Sequence, residues 1–154
     1  MKLIFKTLLF TSLSVLSLAI HAQDKKYHNI DDSNIALDGY SPVSYLDLRL
    51  AQKGSKNFMS EYKSVKYYFT SQEQKALFDK TPEKYLPQYG GWCATGIAVG
   101  AKFRTDPNKF LVENGKYYLY LNSIEVDALE LWNKSGSKEM TMKANENWKT
   151  LKSK

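Results

Sequence analysis

The segment Phe110–Leu121 most narrowly limits what this chain can fold into, because it predicts one particular antiparallel hairpin. Asn114-Gly115 stands at its centre, between two runs of apolar and aromatic residues. Asn-Gly supplies the two positive φ angles that a type I′ turn requires, and this turn matches the twist of the strands on either side. We therefore predict a strand before the turn and a strand after it.

A second hairpin is predicted earlier in the chain. The segments Phe58–Tyr62 and Val65–Phe69 both alternate between apolar and polar residues, and only Lys63-Ser64 separates them. Two residues between two alternating segments fit a hairpin, although the Asn-Gly or Asp-Gly signature is missing. The residues expected on one shared buried face are Phe58, Tyr62, Val65, Tyr67 and Phe69.

Helix signals follow both hairpins. Ser71 and Gln74 form a capping-box pattern that opens a short helix through Phe78, and Thr81-Pro82 opens a helical turn over Pro82–Leu86. After the second hairpin, Asn122 with Glu125 predicts a further helix start. Its expected apolar face consists of Ile124, Ala128, Leu131 and Trp132.

A last helix should begin at Ser137, after Ser135-Gly136 interrupts the preceding one. Apolar residues then repeat at helical spacing, at Met140, Ala144, Trp148 and Leu151. The fold class expected is α+β: a single small domain with two antiparallel β-hairpins, short helices and a helical C-terminus.

The N-terminus has the pattern of a secretory signal peptide. Lys2 and Lys6 precede an apolar run from Leu8 to Ile20, which is too short for the roughly 20 residues of a membrane span. We expect cleavage near Ala22, so that residues 1–22 are the signal peptide, 23–35 a polar leader and 36–151 the domain. The protein is then exported, periplasmic or secreted, with no transmembrane segment in the mature chain.

Charge and cysteine content narrow the classes of function. The formal net charge is +6, and it drops to +4 once Lys2 and Lys6 leave with the signal peptide. The excess lysines are spread along the C-terminal helix, so we expect a solvated helix face and no nucleic-acid partner. Cys93 is the only cysteine, which excludes an internal disulfide despite export to an oxidising compartment. Its thiol is buried and inert, reactive, a metal ligand, or half of an intermolecular bridge.

Any chemical site is expected in the stretch Tyr89–Gly96, where glycines surround this cysteine. Three glycines in eight residues suggest positive φ angles or close approach by another group. Neither the phosphate-binding patterns Gly-x-x-x-x-Gly-Lys and Gly-x-Gly-x-x-Gly nor a Gly-x-Ser-x-Gly nucleophile elbow is present. The sequence therefore provides no recognisable catalytic motif here.

Four parts of the chain combine glycine, proline and aromatic residues in a specific way: Gly39–Tyr45, Tyr67–Ser71, Phe78 with Pro82–Tyr85, and Tyr89–Ala94. Together they resemble exported, stand-alone members of the YHS-domain family, over roughly residues 36–148. Ser41 and Trp92 are mild departures, since such relatives usually carry Asp and Tyr there, and Tyr also at the position of Thr95.

The resemblance also implies a comparison with the metal-binding branch of that family. The cysteines of that branch correspond to Ser44, Thr70 and Gln74 of this chain, and none of these is a thiolate ligand for a soft metal. A metal site would have to be rebuilt around Cys93, with His28, a methionine or a second chain. The cofactor is unknown; a soft transition metal such as copper is the class considered. His28 itself lies in the polar leader and is expected to be a mobile surface residue.

The preferred interpretation is a non-catalytic module that binds a metal ion or small ligand near Cys93. Aromatic rings and a tight glycine backbone would form its pocket. The residues concerned are Tyr40, Tyr45, Tyr89, Gly90, Gly91, Trp92 and Cys93. The opposing interpretation is that the same rings only fill the core, because aromatic residues make up 14% of the chain.

Two alternatives remain open. One is a thiol-dependent redox protein or enzyme that uses Cys93; it needs a base or positive neighbour, and His28 qualifies only if the leader folds back over the glycine stretch. The other is a structural envelope interaction domain in which Cys93 bridges two copies. The sequence does not define the oligomeric state.

Overall fold

The fold is described from a computed structural model, which covers residues 27–121 and 123–154. The predicted signal peptide and the first residues of the predicted leader lie outside these residues, as does Asn122. The chain is a small α+β domain with two antiparallel two-stranded sheets and a helical C-terminus, as the sequence predicts. Among the residues described, no helix combines the length and apolarity needed to cross a bilayer.

The first sheet consists of β1 (Ser55–Tyr62) and β2 (Val65–Phe69), joined by the predicted two-residue turn. Lys63 and Ser64 both have positive φ, at 50° and 61°, so a type I′ geometry forms without glycine or asparagine. Val65, Tyr67 and Phe69 are buried, whereas the predicted partners on β1 are only half-buried. Pairing is regular near the turn and shifts in register towards Ser55.

The second sheet consists of β3 (Asp106–Glu113) and β4 (Lys116–Tyr120), with the predicted turn at Asn114-Gly115. β4 is buried from Tyr117 to Tyr120 because the two faces of this strand contact different parts of the core. Tyr117 and Leu119 belong to a first hydrophobic cluster, and Tyr118 and Tyr120 belong to a second. This strand therefore lies between the two halves of the domain.

The α-helices of residues 27–121 and 123–154 are α1 (Gln72–Lys80), the short α2 (Ala94–Ala98), α3 (Ala128–Ser135) and α4 (Ser137–Leu151). Ser71 caps α1, since its hydroxyl accepts the backbone N–H of Gln74 at 3.3 Å, as the capping-box pattern predicts. Shorter helical turns precede β1, at Leu37–Gly39 and Ser44–Leu48. Others follow α1, at Pro82–Tyr85, which begins at the predicted proline, and at Gln88–Gly91.

The predicted helix start after the second hairpin is wrong. α3 begins at Ala128, and its N-cap is Asp127, whose carboxylate accepts the backbone N–H groups of Leu129 and Glu130 at 3.1 Å. Ser123 and Val126 instead form a local turn through the serine hydroxyl. Two residues of the predicted apolar face are consequently exposed, Ile124 fully and Leu131 by about half. Ala128 and Trp132 are buried as predicted.

The C-terminal helix α4 closes the second hydrophobic cluster. Met140 and Ala144 are buried, which confirms their predicted role in the core, and Trp148 and Leu151 pack against the same cluster from the edge. Asn147 of α4 donates its side-chain amide to the carbonyl oxygens of Ile97 and Ala98, both at 3.0 Å. α4 is thereby fixed to α2, the helix that follows Cys93.

Candidate functional site

The glycine stretch is a compact turn with a left-handed backbone. Tyr89, Gly90 and Gly91 have φ angles of 54°, 61° and 85° within the helical turn Gln88–Gly91. A side chain at Gly90 would also collide with the carbonyl oxygen of Tyr27, which lies against this glycine. Both reasons that the sequence suggested for glycine, positive φ and close approach, therefore apply at Gly90.

The group that approaches is the leader segment itself. The backbone N–H of Asn29 donates to the Gly90 carbonyl oxygen at 2.8 Å, and its side-chain amide donates to the Gly91 carbonyl oxygen at 3.0 Å. Arg104 then donates to the side-chain oxygen of Asn29 and to the carbonyl oxygen of Ile30, both at 3.1 Å. The leader residues from Tyr27 to Ile30 therefore pack against the glycine turn and Arg104.

The expectation that His28 is a mobile surface residue is wrong. Its side chain is buried, with 8% exposed, and its ring contacts that of Tyr27 with centroids 4.6 Å apart. The physical reason is that hydrogen bonds of the next residue, Asn29, hold this segment against the glycine turn. The residues next to His28 in the sequence are polar, so the sequence pattern does not indicate that His28 is buried.

Cys93 is enclosed at the junction of three elements. Its side chain is 1% exposed, and its sulfur accepts the backbone N–H of Gly96 at 3.4 Å and that of Leu121 at 3.2 Å. Its backbone forms a parallel bridge with Leu119 of β4. The thiol therefore caps α2 and ties the glycine turn to β4.

The predicted pocket residues are divided between the two hydrophobic clusters. Tyr89 lies in the second cluster with Cys93, and its hydroxyl donates to the Asn145 side chain at 3.1 Å. Tyr45 lies fully buried in the first cluster, stacked on Tyr117 at 5.1 Å, and Tyr40 packs at the edge of that cluster under the ammonium group of Lys53. The structure thus brings together Tyr89, Gly90, Gly91, Trp92 and Cys93, but not Tyr40 and Tyr45.

Buried tyrosines have strongly altered acidity. Burial raises the pKa of the Tyr89 hydroxyl, with the nearby Tyr118 hydroxyl as a smaller cause. The pKa of Tyr45 is likewise raised, mainly by burial, because ionisation would place an anion in an apolar interior. These phenols are neutral hydrogen-bonding groups at neutral pH.

Trp92 is the part of the glycine stretch that remains half-exposed. Its indole N–H donates to the Tyr27 carbonyl oxygen at 3.1 Å, and the Tyr27 ring lies 5.3 Å from that of Trp148. The ammonium nitrogen of Lys102 lies 5.5 Å from the ring centres of both Trp92 and Trp148, and the guanidinium carbon of Arg104 lies 5.9 Å from that of Trp92. We call these five residues the Trp92 surface.

The sequence does not predict most of the Trp92 surface. Its helical spacing places Trp148 in the core, and no pattern gives a role to Lys102 or Arg104. The sequence signal available was the short run Lys102-Phe103-Arg104, in which two cations flank a phenylalanine soon after the glycine stretch. That signal alone does not show that Trp148, on the C-terminal helix, joins them.

Ser44, Thr70 and Gln74 meet in one polar network. The side-chain amide of Gln74 donates to the Ser44 hydroxyl at 3.0 Å, and its oxygen accepts the backbone N–H of Thr70 at 3.3 Å. Ser41 donates to the same oxygen at 2.7 Å, and Ser44 also bonds Gln52 at 2.8 Å. Residues from three separate segments therefore converge here.

The donor atoms of this network do not suit a soft metal. Ser44 and Gln74 offer neutral oxygen and amide groups that bond each other, whereas soft metals prefer thiolate and thioether ligands. Among the residues described, no group of three or more His, Cys, Asp or Glu side chains is placed to hold a metal ion. The sulfur of Cys93 thus lacks a surrounding set of such ligands in this part of the chain.

Comparisons of the chain with models of protein families, with curated proteins and with solved structures return no match.

Proposed function

We propose that this chain is an exported, non-catalytic binding module of the YHS type, which holds a small ligand beside the glycine turn. The contact between Ser44 and Gln74 supports the family resemblance, since Ser44 comes from one of its motifs and Thr70 and Gln74 come from another, 26 or more positions later in the chain. The resemblance rests on residue identities, and the proximity of these two motifs adds a spatial observation in its favour.

The Trp92 surface is the ligand-contacting part of the proposed site. The single observation that carries this choice is the contrast between neighbours: the Cys93 sulfur is enclosed and holds two backbone N–H groups, while the Trp92 ring is half-exposed beside two cations. Exposed aromatic rings and cations bind ligands without rearrangement of the core. Cys93 has a structural role in this proposal.

The charges of the Trp92 surface favour an anionic ligand. Lys102 and Arg104 place two positive groups close to the indole ring, and a carboxylate or phosphate group would be attracted to both. The apolar part of such a ligand would contact the indole and the edge of Trp148. A small carboxylic acid with an apolar body fits both features.

The test is a thermal-shift screen with small carboxylates, phosphate esters and salts of copper and zinc. We expect at least one anionic compound to raise the melting temperature, and Trp92→Ala to abolish that shift. Tyr40→Ala is the matched control, because Tyr40 is also a half-buried aromatic with a cation above its ring but lies in the other cluster. The Cys93→Ser protein should keep the shift.

The screen also separates the alternatives. The absence of a shift with every compound would remove the support for a binding module. A shift with a copper or zinc salt that Cys93→Ser abolishes would instead favour the metal site at this cysteine. The thiol-enzyme and bridged-dimer alternatives both require access to the sulfur, and its 1% exposure disfavours them.

A further inference from the structure

A cavity lies on another part of the domain, between the turn of the second hairpin and the start of α4. Its volume is about 330 Å³. Glu113, Asn114 and Tyr118 line it from the hairpin, and Ser137, Lys138, Thr141 and Met142 line it from the helix. None of these residues belongs to the Trp92 surface, so a ligand here does not depend on the function proposed above.

Two opposite charges line this cavity, Glu113 and Lys138. Glu113 ends β3 and Lys138 lies in the first turn of α4, and neither forms an ion pair with another residue that the structure describes. The neighbouring charges of α4 do pair: Lys143 bonds Glu139 at 2.7 Å. The cavity is therefore lined by a carboxylate and an ammonium group that do not pair with each other.

Part of the wall of this cavity is aromatic and firmly held. Tyr118 is buried, and its ring packs 5.8 Å from Trp132 and 6.0 Å from Tyr89 within the second hydrophobic cluster. Met142 is exposed on the other side of the cavity, and a methionine side chain adapts its shape easily to a bound group. One side of the wall is thus rigid and the other adjustable.

The size of the cavity limits the ligand. A protein cavity of roughly 150 Å³ holds benzene, which has six non-hydrogen atoms. On that scale a cavity of about 330 Å³ holds roughly a dozen non-hydrogen atoms. This is the size of a dipeptide that contains one small and one branched residue.

We propose that the cavity binds a dipeptide-sized zwitterion with an apolar side chain. The Glu113 carboxylate accepts hydrogen bonds from the ammonium group of this ligand, and the Lys138 ammonium group donates hydrogen bonds to its carboxylate. Tyr118 and Met142 contact the apolar side chain.

The probe for the test is glycyl-L-leucine, compared with its N-acetyl derivative, which lacks the positive charge, and its C-terminal amide, which lacks the negative one. Titration calorimetry with the mature protein should give weaker binding for each derivative, by roughly five- to tenfold. Glu113→Gln should weaken the binding of glycyl-L-leucine by the same factor and remove the preference for it over the N-acetyl derivative. Lys138→Gln should also weaken the binding of glycyl-L-leucine by this factor, and it should remove the preference for it over the C-terminal amide.

Matched controls come from the same helix. Glu139→Gln and Lys143→Gln each remove a charge of the same kind outside the cavity lining, and binding should stay within about twofold. No binding of glycyl-L-leucine at millimolar concentration would overturn the proposal. Equal affinity for all three compounds, or unchanged affinity in Glu113→Gln and Lys138→Gln, would overturn it as well.

Discussion

At the scale of single residues, Gly90 links the two features that shape the candidate site. Its left-handed backbone makes the turn, and its missing side chain admits the carbonyl group of Tyr27. Because Tyr27 also accepts the indole N–H of Trp92, the position of Gly90 influences the orientation of the Trp92 ring. A residue with no side chain therefore supports the residue that we expect to contact the ligand.

We predict that Gly90→Ala destabilises the domain considerably more than Gly115→Ala. Both glycines have positive φ, 61° and 70°, so the backbone strain of an alanine, about 1–2 kcal/mol, is common to both. Only Gly90 adds a collision, whereas no atom lies within 4 Å of the position that a Gly115 side chain would take. Overpacking costs about 1–3 kcal/mol. Urea unfolding of both variants measures the difference, and equal losses would contradict the close approach at Gly90.

The sequence was informative about Gly90 and Trp92 but not about their partners. Glycine density beside aromatics identified the turn, since such backbone demands are local. Lys102, Arg104 and His28 gave no comparable signal, because their roles depend on where distant segments pack. His28 in particular lies among polar residues, and only contacts with a turn more than 60 positions away bury its neighbourhood.

At the scale of elements, local patterns predicted both hairpins and the first and last helices. Alternation and turn spacing depend only on residues that are close in the chain, so the elements predicted from them agree with the structure. The start of α3 was missed because Asn122 and Asp127 are both acceptable N-caps. The choice of Asp127 is consistent with its tertiary contact, an ion pair with Lys109 of β3 at 2.7 Å. No periodic pattern contains that information.

The turn of the first hairpin provides a test at this scale. We predict that the double substitution Lys63→Asn with Ser64→Gly stabilises the domain by up to about 1 kcal/mol, because the two left-handed positions then carry the pair that tolerates them best. The reverse exchange in the second hairpin, Asn114→Lys with Gly115→Ser, should destabilise the domain by a similar amount. Thermal unfolding of both proteins measures the two effects. A loss of stability in the first variant would contradict the type I′ geometry.

At the scale of the whole molecule, the domain consists of two hydrophobic clusters that share strand β4. Tyrosines are prominent in both, and this composition was visible in the sequence as a high aromatic content. The sequence could not show how the tyrosines divide between the clusters. That division separates Tyr40 and Tyr45 from Cys93, and it decides which of the predicted pocket residues form one site.

Burial of so many phenols predicts a characteristic alkaline transition. Burial raises the pKa of Tyr45, Tyr67, Tyr117 and Tyr120 above the usual value near 10. A folded-state pKa raised in this way contributes stability that is fully present below about pH 10 and is lost as the pH rises above it. Phenolate absorbance should therefore rise in two stages, first for exposed tyrosines and then together with unfolding. A single smooth titration with retained circular dichroism would contradict this burial.

The proposal for the whole molecule also includes export. If residues 1–22 are a signal peptide, the protein recovered from the periplasm should begin at Gln23, which N-terminal sequencing determines. The cleaved protein would keep Tyr27 and Asn29, which pack against the glycine turn. Recovery of the intact N-terminus from the cytoplasm would contradict the expected localisation.

The most direct measurement of the central claim, that the Trp92 surface and not Cys93 holds the ligand, is native mass spectrometry of the protein purified from its own compartment. Wild-type, Cys93→Ser and Trp92→Ala proteins are compared for bound mass, with elemental analysis of the same samples. We predict a bound small molecule that Cys93→Ser retains and Trp92→Ala loses. A bound metal that disappears in Cys93→Ser and persists in Trp92→Ala would contradict the claim.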